Sequence, residues 1–134
     1  MQKTIMLALL LACGAAQASD WVSVGTIVGA TTYVDRSSIR VSENIRRAWI
    51  KLVYTSHMKR GSGDDSNKWR IYDLSREAFD CAQELVRTEA LFVFYEDGTN
   101  YSASPENAPP AWLPVPPDTI ADIEMKLICA WKPN

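Results

Sequence analysis

Residues 46–55 read RRAWIKLVYT, and this is the clearest alternating stretch in the chain. Successive side chains of a β-strand point to opposite sides of its sheet, so the alternation predicts a strand with two different faces. One face carries Ala48, Ile50, Leu52 and Tyr54. The other face carries Arg47, Trp49, Lys51 and Val53.

Shorter extended segments precede this strand. Residues 21–24 and 31–34 predict two strands, and Gly25 and Gly29 bracket the turn between them. Residues 35–38 have turn chemistry, because their side chains can bond to nearby backbone groups. After the central strand, the polar residues 57–68 predict a loop that lacks the spaced carboxylates of a calcium site.

Two longer extended runs follow, at residues 69–81 and 83–95. A helix over residues 75–87 is the alternative, since several good helix formers lie there. The β-branched and aromatic residues at 91–95 favour strands instead. Asp97-Gly98 then predicts a hairpin that leads to a returning strand at residues 99–103.

Residues 90–95 are apolar on both predicted faces, which is typical of a central strand covered on both sides. A single helix covers only one face. We therefore expect Leu91, Val93 and Tyr95 to form a second apolar face, opposite the helix. A homodimer contact or the proline-rich residues 104–117 would remove this face from water, since exposure costs about 25 cal/mol per Å².

The end of the chain predicts one α-helix. Thr119 and Asp122 resemble a capping box, and the apolar residues that follow extend to about Trp131. The six prolines of residues 104–117 predict an extended crossover before this helix, pinned to the sheet by Trp112. The predicted fold is α+β, a single antiparallel sheet with one C-terminal helix packed on one face.

The first eighteen residues predict a signal peptide. Lys3 precedes a short apolar run, and the small residues Ala16 and Ala18 define a cleavage site before Ser19. Residues 1–18 are thus the expected signal and residues 19–134 the expected single domain. The alternative is lipoprotein processing at Cys13, which follows an imperfect lipobox and would anchor the protein in a membrane.

Cleavage before Ser19 would leave two cysteines, Cys81 and Cys129. An exported protein meets oxidising conditions, and a bond between them would close a loop of about 50 residues, worth about 4 kcal/mol. Free thiols and an intermolecular bond are the alternatives.

Composition argues against several functional classes. The net charge of −2 gives no electrostatic basis for binding nucleic acid. The single histidine, His57, lacks the companions of a zinc site, and no serine lies in a nucleophile elbow. We therefore expect no enzyme activity, no metal and no cofactor.

In order and spacing, several short motifs resemble the surface-adhesin protein E family of Gram-negative bacteria. They are Trp21-Val22, Tyr33-Val34-Asp35, Ser38-Ile39, Arg47 with Trp49, Phe79-Asp80-Cys81, Tyr95 with Gly98, Trp112 to Pro117 and Cys129. The resemblance implies a twisted antiparallel sheet of about six strands, with the C-terminal helix tied to its concave side by a disulfide. It makes residues 19–134 an adhesin E-like domain.

The resemblance also implies a function. It predicts a non-enzymatic protein at the cell surface or in the periplasm, binding host extracellular-matrix or serum proteins and able to dimerise. Because the favoured cleavage site is not the lipoprotein one, a periplasmic structural or envelope-assembly role is the alternative.

The predicted binding residues are Arg47, Trp49 and Lys51. An aromatic ring flanked by cations suits sulfated glycans or acidic protein segments. The alternative is an ordinary half-exposed sheet face with cross-strand pairing.

Overall fold

Seven strands and one α-helix make up the fold of the described residues. The computed structural model describes residues 18–57, 59–103 and 110–133. The strands are β1 (Trp21–Ile27), β2 (Ala30–Ser42), β3 (Ile45–Tyr54), β4 (Arg70–Asp80), β5 (Leu85–Tyr95), β6 (Asn100–Ala103) and β7 (Leu113–Pro114). The helix α1 spans Ile120–Ala130, and a single 3-10 turn occupies Gly63–Asp65.

The strands form one antiparallel sheet in the order β1-β2-β3-β4-β5-β6, with β7 paired to β5. From β1 to β6, each strand lies beside the strand that follows it in the sequence. Strand rather than helix at residues 75–87 is confirmed, because β4 ends at Asp80 and β5 begins at Leu85. The hairpin at Asp97-Gly98 is also confirmed, and Gly98 takes the positive φ of 83° that favours glycine there.

The prediction that β2 stops at Asp35 is wrong. The register shifts between Asp35 and Arg40, but the strand continues to Ser42. The buried carboxylate of Asp35 accepts hydrogen bonds from the Ser37 N–H (3.0 Å) and hydroxyl (2.6 Å). The hydroxyl of Ser38 accepts from the Trp49 N–H on β3 at 2.9 Å. Turn-forming side chains here make a bulge within a strand.

The proline-rich crossover also differs from its prediction. Leu113 and Pro114 pair with Val86 and Leu85 of β5, so part of the crossover forms an edge strand. Proline is tolerated at an edge because its missing N–H faces away from the ladder. The ring of Trp112 lies 4.5 Å from the Arg87 guanidinium, a contact consistent with an anchoring role. Residues 104–109 lie outside the described residues.

The core lies between α1 and one face of the sheet. Its fully buried side chains include Val34, Phe79 and Ile128, with Ile50 and Met125 beside them. Burying each such side chain contributes roughly 1.5–3 kcal/mol. Not every apolar residue of the helix joins this core, because Ile123 is 43% exposed.

The capping prediction for α1 is confirmed in its main part. The Thr119 hydroxyl accepts a hydrogen bond from the Asp122 N–H at 3.3 Å. The Asp122 carboxylate reaches back to the N–H of Asp118, at 3.1 Å, instead of that of Thr119. Its ion pair with Lys126 (2.7 Å) lowers the pKa of Asp122. The helix ends at Ala130, one residue before the predicted end.

The disulfide between Cys81 and Cys129 is confirmed. Their Cα atoms are 5.8 Å apart, and the bond links the end of β4 to the last turn of α1. The Arg46 guanidinium adds a second tie at this end, since it donates to the carbonyls of Ile128 (3.2 Å) and Trp131. The C-terminal end of the helix is therefore held both covalently and by hydrogen bonds.

The predicted signal segment and Cys13 fall almost wholly in residues 1–17, outside the described residues. Within the part of the chain that the structure describes, no helix combines the length and apolar character required to cross a bilayer.

Candidate functional site

The face of the sheet that points away from α1, here called the open face, carries the predicted binding residues. Core residues Ala48 and Ile50 of β3 point toward the helix, so Arg47, Trp49 and Lys51 point the opposite way. All three side chains are half-buried. The structure thus places the three on one face but distributes them over two different environments.

Lys51 lies next to a group of aromatic side chains, here called the aromatic cluster. Its members are Trp21, Trp49, Tyr72, Phe92 and Phe94. The Lys51 Nζ lies 4.3 Å from the ring centre of Trp21 and 5.5 Å from that of Tyr72. The Tyr72 and Phe94 rings stack with centres 4.3 Å apart. Cation–π contact and cross-strand stacking stabilise this part of the face, each by about 0.5–1 kcal/mol. Lys51 forms no ion pair with any described residue.

Arg47 belongs to a second group, the arginine cluster, in which Arg47, Arg76 and Arg87 converge on Glu89. Nitrogen atoms of the three guanidinium groups lie 3.0, 3.7 and 3.0 Å from the Glu89 carboxylate oxygens. One carboxylate thus faces three cations, which leaves an excess of positive charge. Glu89 is only 20% exposed, so solvent screens these pairs incompletely.

A cavity of about 240 Å³ opens beside the arginine cluster. Arg40, Arg47, Arg76 and Trp49 line it together with Ser38 and Ala48. Arg40 donates to the backbone carbonyls of Ser37 and Ile39, each at 2.9 Å, and forms no ion pair with a described carboxylate. Guanidinium groups bind carboxylates and other oxyanions through two parallel hydrogen bonds. The cavity is therefore suited to an acidic group.

Of the residues that form the arginine cluster and its cavity, Arg47 and Trp49 were predicted from the sequence. Four others were not: Arg40, Arg76, Arg87 and Glu89. The missed residues lie on β2, β4 and β5, and they come together only through the strand register. Trp49 pairs with Arg76, and Arg76 pairs with Ala90. The alternation within each strand was visible in the sequence, but no local signal shows which positions of different strands pair.

The prediction that Leu91, Val93 and Tyr95 form a face opposite the helix is wrong. Val34, Ile50, Ser75 and Leu91 are consecutive register partners across β2 to β5, so Leu91 lies on the helix side of the sheet. Val93 and Tyr95 share that side, and each is only 4% exposed. Phe92 and Phe94 are the apolar residues of β5 on the open face. Dimerisation itself stays a prediction.

The polar loop before β4 covers part of the helix side. The Tyr95 ring lies so close to Gly61 that a Cβ atom there would be 2.9 Å from its Cε1. His57 lies in the same loop, 3.0 Å from the Glu96 carboxylate and against the Trp69 ring at 5.0 Å. In residues 18–57, 59–103 and 110–133, no three His, Cys, Asp or Glu side chains come together to hold a metal ion.

The sequence model of the family described as surface-adhesin protein E matches residues 21–130. The structure of Haemophilus influenzae protein E is similar, with a TM-score of 0.57 and 18% identity over 84% of this chain and 86% of that chain. Its crystal form II gives 0.52 and 15%, over 84% and 96%. A comparison with curated protein sequences gave no match.

Proposed function

The chain belongs to the surface-adhesin protein E family, and we propose that it binds host extracellular-matrix or serum proteins after export. The family assignment confirms the resemblance noted in the sequence. The sheet with its clamped helix has the fold of Haemophilus influenzae protein E. Membership of this family supports an exported or surface binding protein rather than an enzyme.

The arginine cluster is the observation that carries the proposed binding site. Three guanidinium groups share the single carboxylate of Glu89. Two of them, those of Arg47 and Arg76, line the cavity together with a fourth, that of Arg40. An acidic side chain of a partner would find unused donors there. We infer that the partner presents acidic segments to this part of the open face.

The aromatic cluster supplies contact area next to these charges. Trp49 lines the arginine cavity and also packs 6.1 Å from Phe92, so it links the two clusters. Large rings held by their neighbours lose little conformational entropy on binding, which is why aromatic residues are enriched at interfaces. A partner that covers both clusters would gain electrostatic and apolar contact together.

Export is part of the proposal. We propose that residues 1–18 are removed as a Sec-type signal peptide and that the mature protein begins at Ser19. Mass spectrometry of the mature protein tests this, since a diacylated Cys13 start would contradict it. The periplasmic role is the competing function, and it shares the export step.

A binding experiment tests the site. Mature protein is passed over immobilised matrix and serum glycoproteins, and association rates are compared for Arg76→Ala and Arg60→Ala. Arg76 is 47% exposed and lies farthest from Glu89, so its removal leaves the carboxylate paired with Arg47 and Arg87. Arg60 is an exposed loop arginine that stacks on Trp69 and provides a control of equal charge.

We expect Arg76→Ala to slow association on the order of tenfold at low salt, with a smaller effect at high salt. Arg60→Ala should bind like the unmodified protein. Equal rates for both variants would contradict the assigned site. Failure of every matrix and serum protein to bind would contradict the function itself.

Localisation separates the adhesin from the periplasmic role. Intact cells are treated with a protease that does not enter them, and the protein is then detected by immunoblotting. A surface protein is degraded under these conditions. Protection in intact cells, with degradation after the outer membrane is opened, would favour the periplasmic role.

A further inference from the structure

A second cavity lies on the other side of the sheet, between the first two turns of α1 and strands β1 to β5. This space, here called the helix groove, has a volume of about 360 Å³. Its walls include the apolar side chains of Ile50, Leu52, Leu91 and Ile120, together with the carboxyl groups of Glu77 and Glu124. The size is within the range of small-molecule sites, roughly 300–1,000 Å³.

Glu124 is the unusual group in the helix groove. It is only 8% exposed, yet it forms no hydrogen bond or ion pair with any described residue. Burial, helped by the negative charge of Glu77, raises the pKa of Glu124 to about 7. A buried carboxyl group normally has a partner, because an uncompensated one is destabilising.

The other acidic groups that line the groove, Asp73 and Glu77, do have partners. Asp73 accepts from both Arg70 (2.6 Å) and the Tyr54 hydroxyl (2.6 Å). Glu77 on β4 accepts from the Thr88 hydroxyl at 2.9 Å, and burial raises its pKa. The lining residues of β2 and β3 are Thr32, Ile50 and Leu52, which carry no charge. The unmatched charge of the groove is therefore negative.

We propose that the helix groove binds an aliphatic amine, with its ammonium group between Glu124 and Glu77 and its alkyl chain against Ile50, Leu52 and Leu91. A metal ion does not fit, because the described residues bring no third His, Cys, Asp or Glu ligand to these carboxyl groups. An anion is repelled by both carboxylates. An amine supplies the missing ion pair and covers the apolar wall at the same time.

Calorimetric titration with hexylammonium tests the proposal on the mature protein. Hexanol and hexanoate are the comparison ligands, since they keep the chain and change only the head group. The variants are Glu124→Gln, which removes the charge, and Ala121→Leu, which fills the groove but keeps the charge. Glu43→Gln, at an exposed turn, is the matched control, and thermal melts verify that each variant is folded.

We expect saturable binding of hexylammonium at about pH 8, weakened on the order of tenfold or more at about pH 5.5, where Glu124 is protonated. Glu124→Gln and Ala121→Leu should each lose binding, and Glu43→Gln should keep it. Equal binding by hexanol, unchanged binding by Glu124→Gln, or no binding by the unmodified protein would each overturn the proposal. These readouts do not involve the open face, so they are independent of the adhesin function.

Discussion

Replacing Glu124 by glutamine should change how the stability of the protein depends on pH. The pKa of Glu124 rises from 4.5 to about 7 on folding, chiefly through burial. The folded protein therefore binds this proton more tightly than the unfolded chain does. The resulting stabilisation is complete below about pH 4.5 and is lost as the pH rises through about 7.

The size of this change in the free energy of unfolding follows from the difference between the pKa values of Glu124 in the unfolded and folded states. From 4.5 to about 7, the difference corresponds to about 3 kcal/mol at 1.36 kcal/mol per unit. Typical domains have a free energy of unfolding of roughly 5–15 kcal/mol, so this is a substantial share. Glutamine has nearly the same shape but cannot ionise, and the variant should lack this pH dependence.

Urea unfolding followed by tryptophan fluorescence measures the effect at several pH values between about 5 and 8. We expect Glu124→Gln to gain up to about 3 kcal/mol over the unmodified protein as the pH rises through this range. Glu77, whose pKa is also raised by burial, titrates in both proteins and contributes to both curves in the same direction.

Other shifted groups lie outside this window. The pKa values of Asp35, Asp97 and Asp122 are lowered, and those of Lys68 and Lys126 are raised, so these groups keep their charge between about pH 5 and 8. A stability difference between the two proteins that stays constant with pH would contradict this prediction. It would mean that Glu124 ionises normally in the folded protein.

Three further predictions concern the disulfide, the N-cap of α1 and the turn after β4. Replacing Cys81 and Cys129 together by serine removes a link across 48 residues and should lower the free energy of unfolding by about 4 kcal/mol. Urea unfolding of the reduced unmodified protein should show the same loss. An unchanged urea midpoint would contradict the prediction. Thr119→Ala should lower the free energy of unfolding by about 1 kcal/mol through loss of the N-cap, with Thr119→Ser as the control that retains it. Asp80→Ala should lower it by about 1–3 kcal/mol, because a buried carboxylate that accepts from the N–H groups of Ala82 and Gln83 is removed; equal stability of Asp80→Ala and Asp80→Asn in thermal melts would contradict this.

Much of the fold was predictable because its strands carry their own periodicity. The alternation at residues 46–55 identifies β3. Thr119 followed three residues later by Asp122 identifies the start of α1, where the Thr119 hydroxyl accepts from the Asp122 N–H. The disulfide was predictable in outline, since two cysteines allow one intramolecular pairing. These features depend on residues close together in sequence or on very few alternatives.

The remaining features depend on pairing between strands. Alternation divides β5 into two apolar faces but does not say which one meets α1, and so Leu91, Val93 and Tyr95 were assigned to the wrong side. The convergence of Arg47, Arg76 and Arg87 on Glu89 likewise exists only in the assembled register. The bulge at Asp35 could not be predicted either. Hydrogen bonds such as that between Asp35 and Ser37 can end a strand, but here they bend a strand that continues.

The covalent link at Cys129 makes the two ends of α1 unequal. The last turn is fastened to β4, whereas the first turn, which forms one wall of the helix groove, rests on noncovalent contacts. A rod pinned at one end moves most at the other, and a tilt of about 5° around Cys129 shifts Ile120 by about 1 Å, given a rise of about 1.5 Å per residue. Reduction of the disulfide should accordingly speed amide hydrogen exchange in the last turn more than in the first. The disulfide thus fixes one end of the helix and leaves the width of the groove adjustable at the other end.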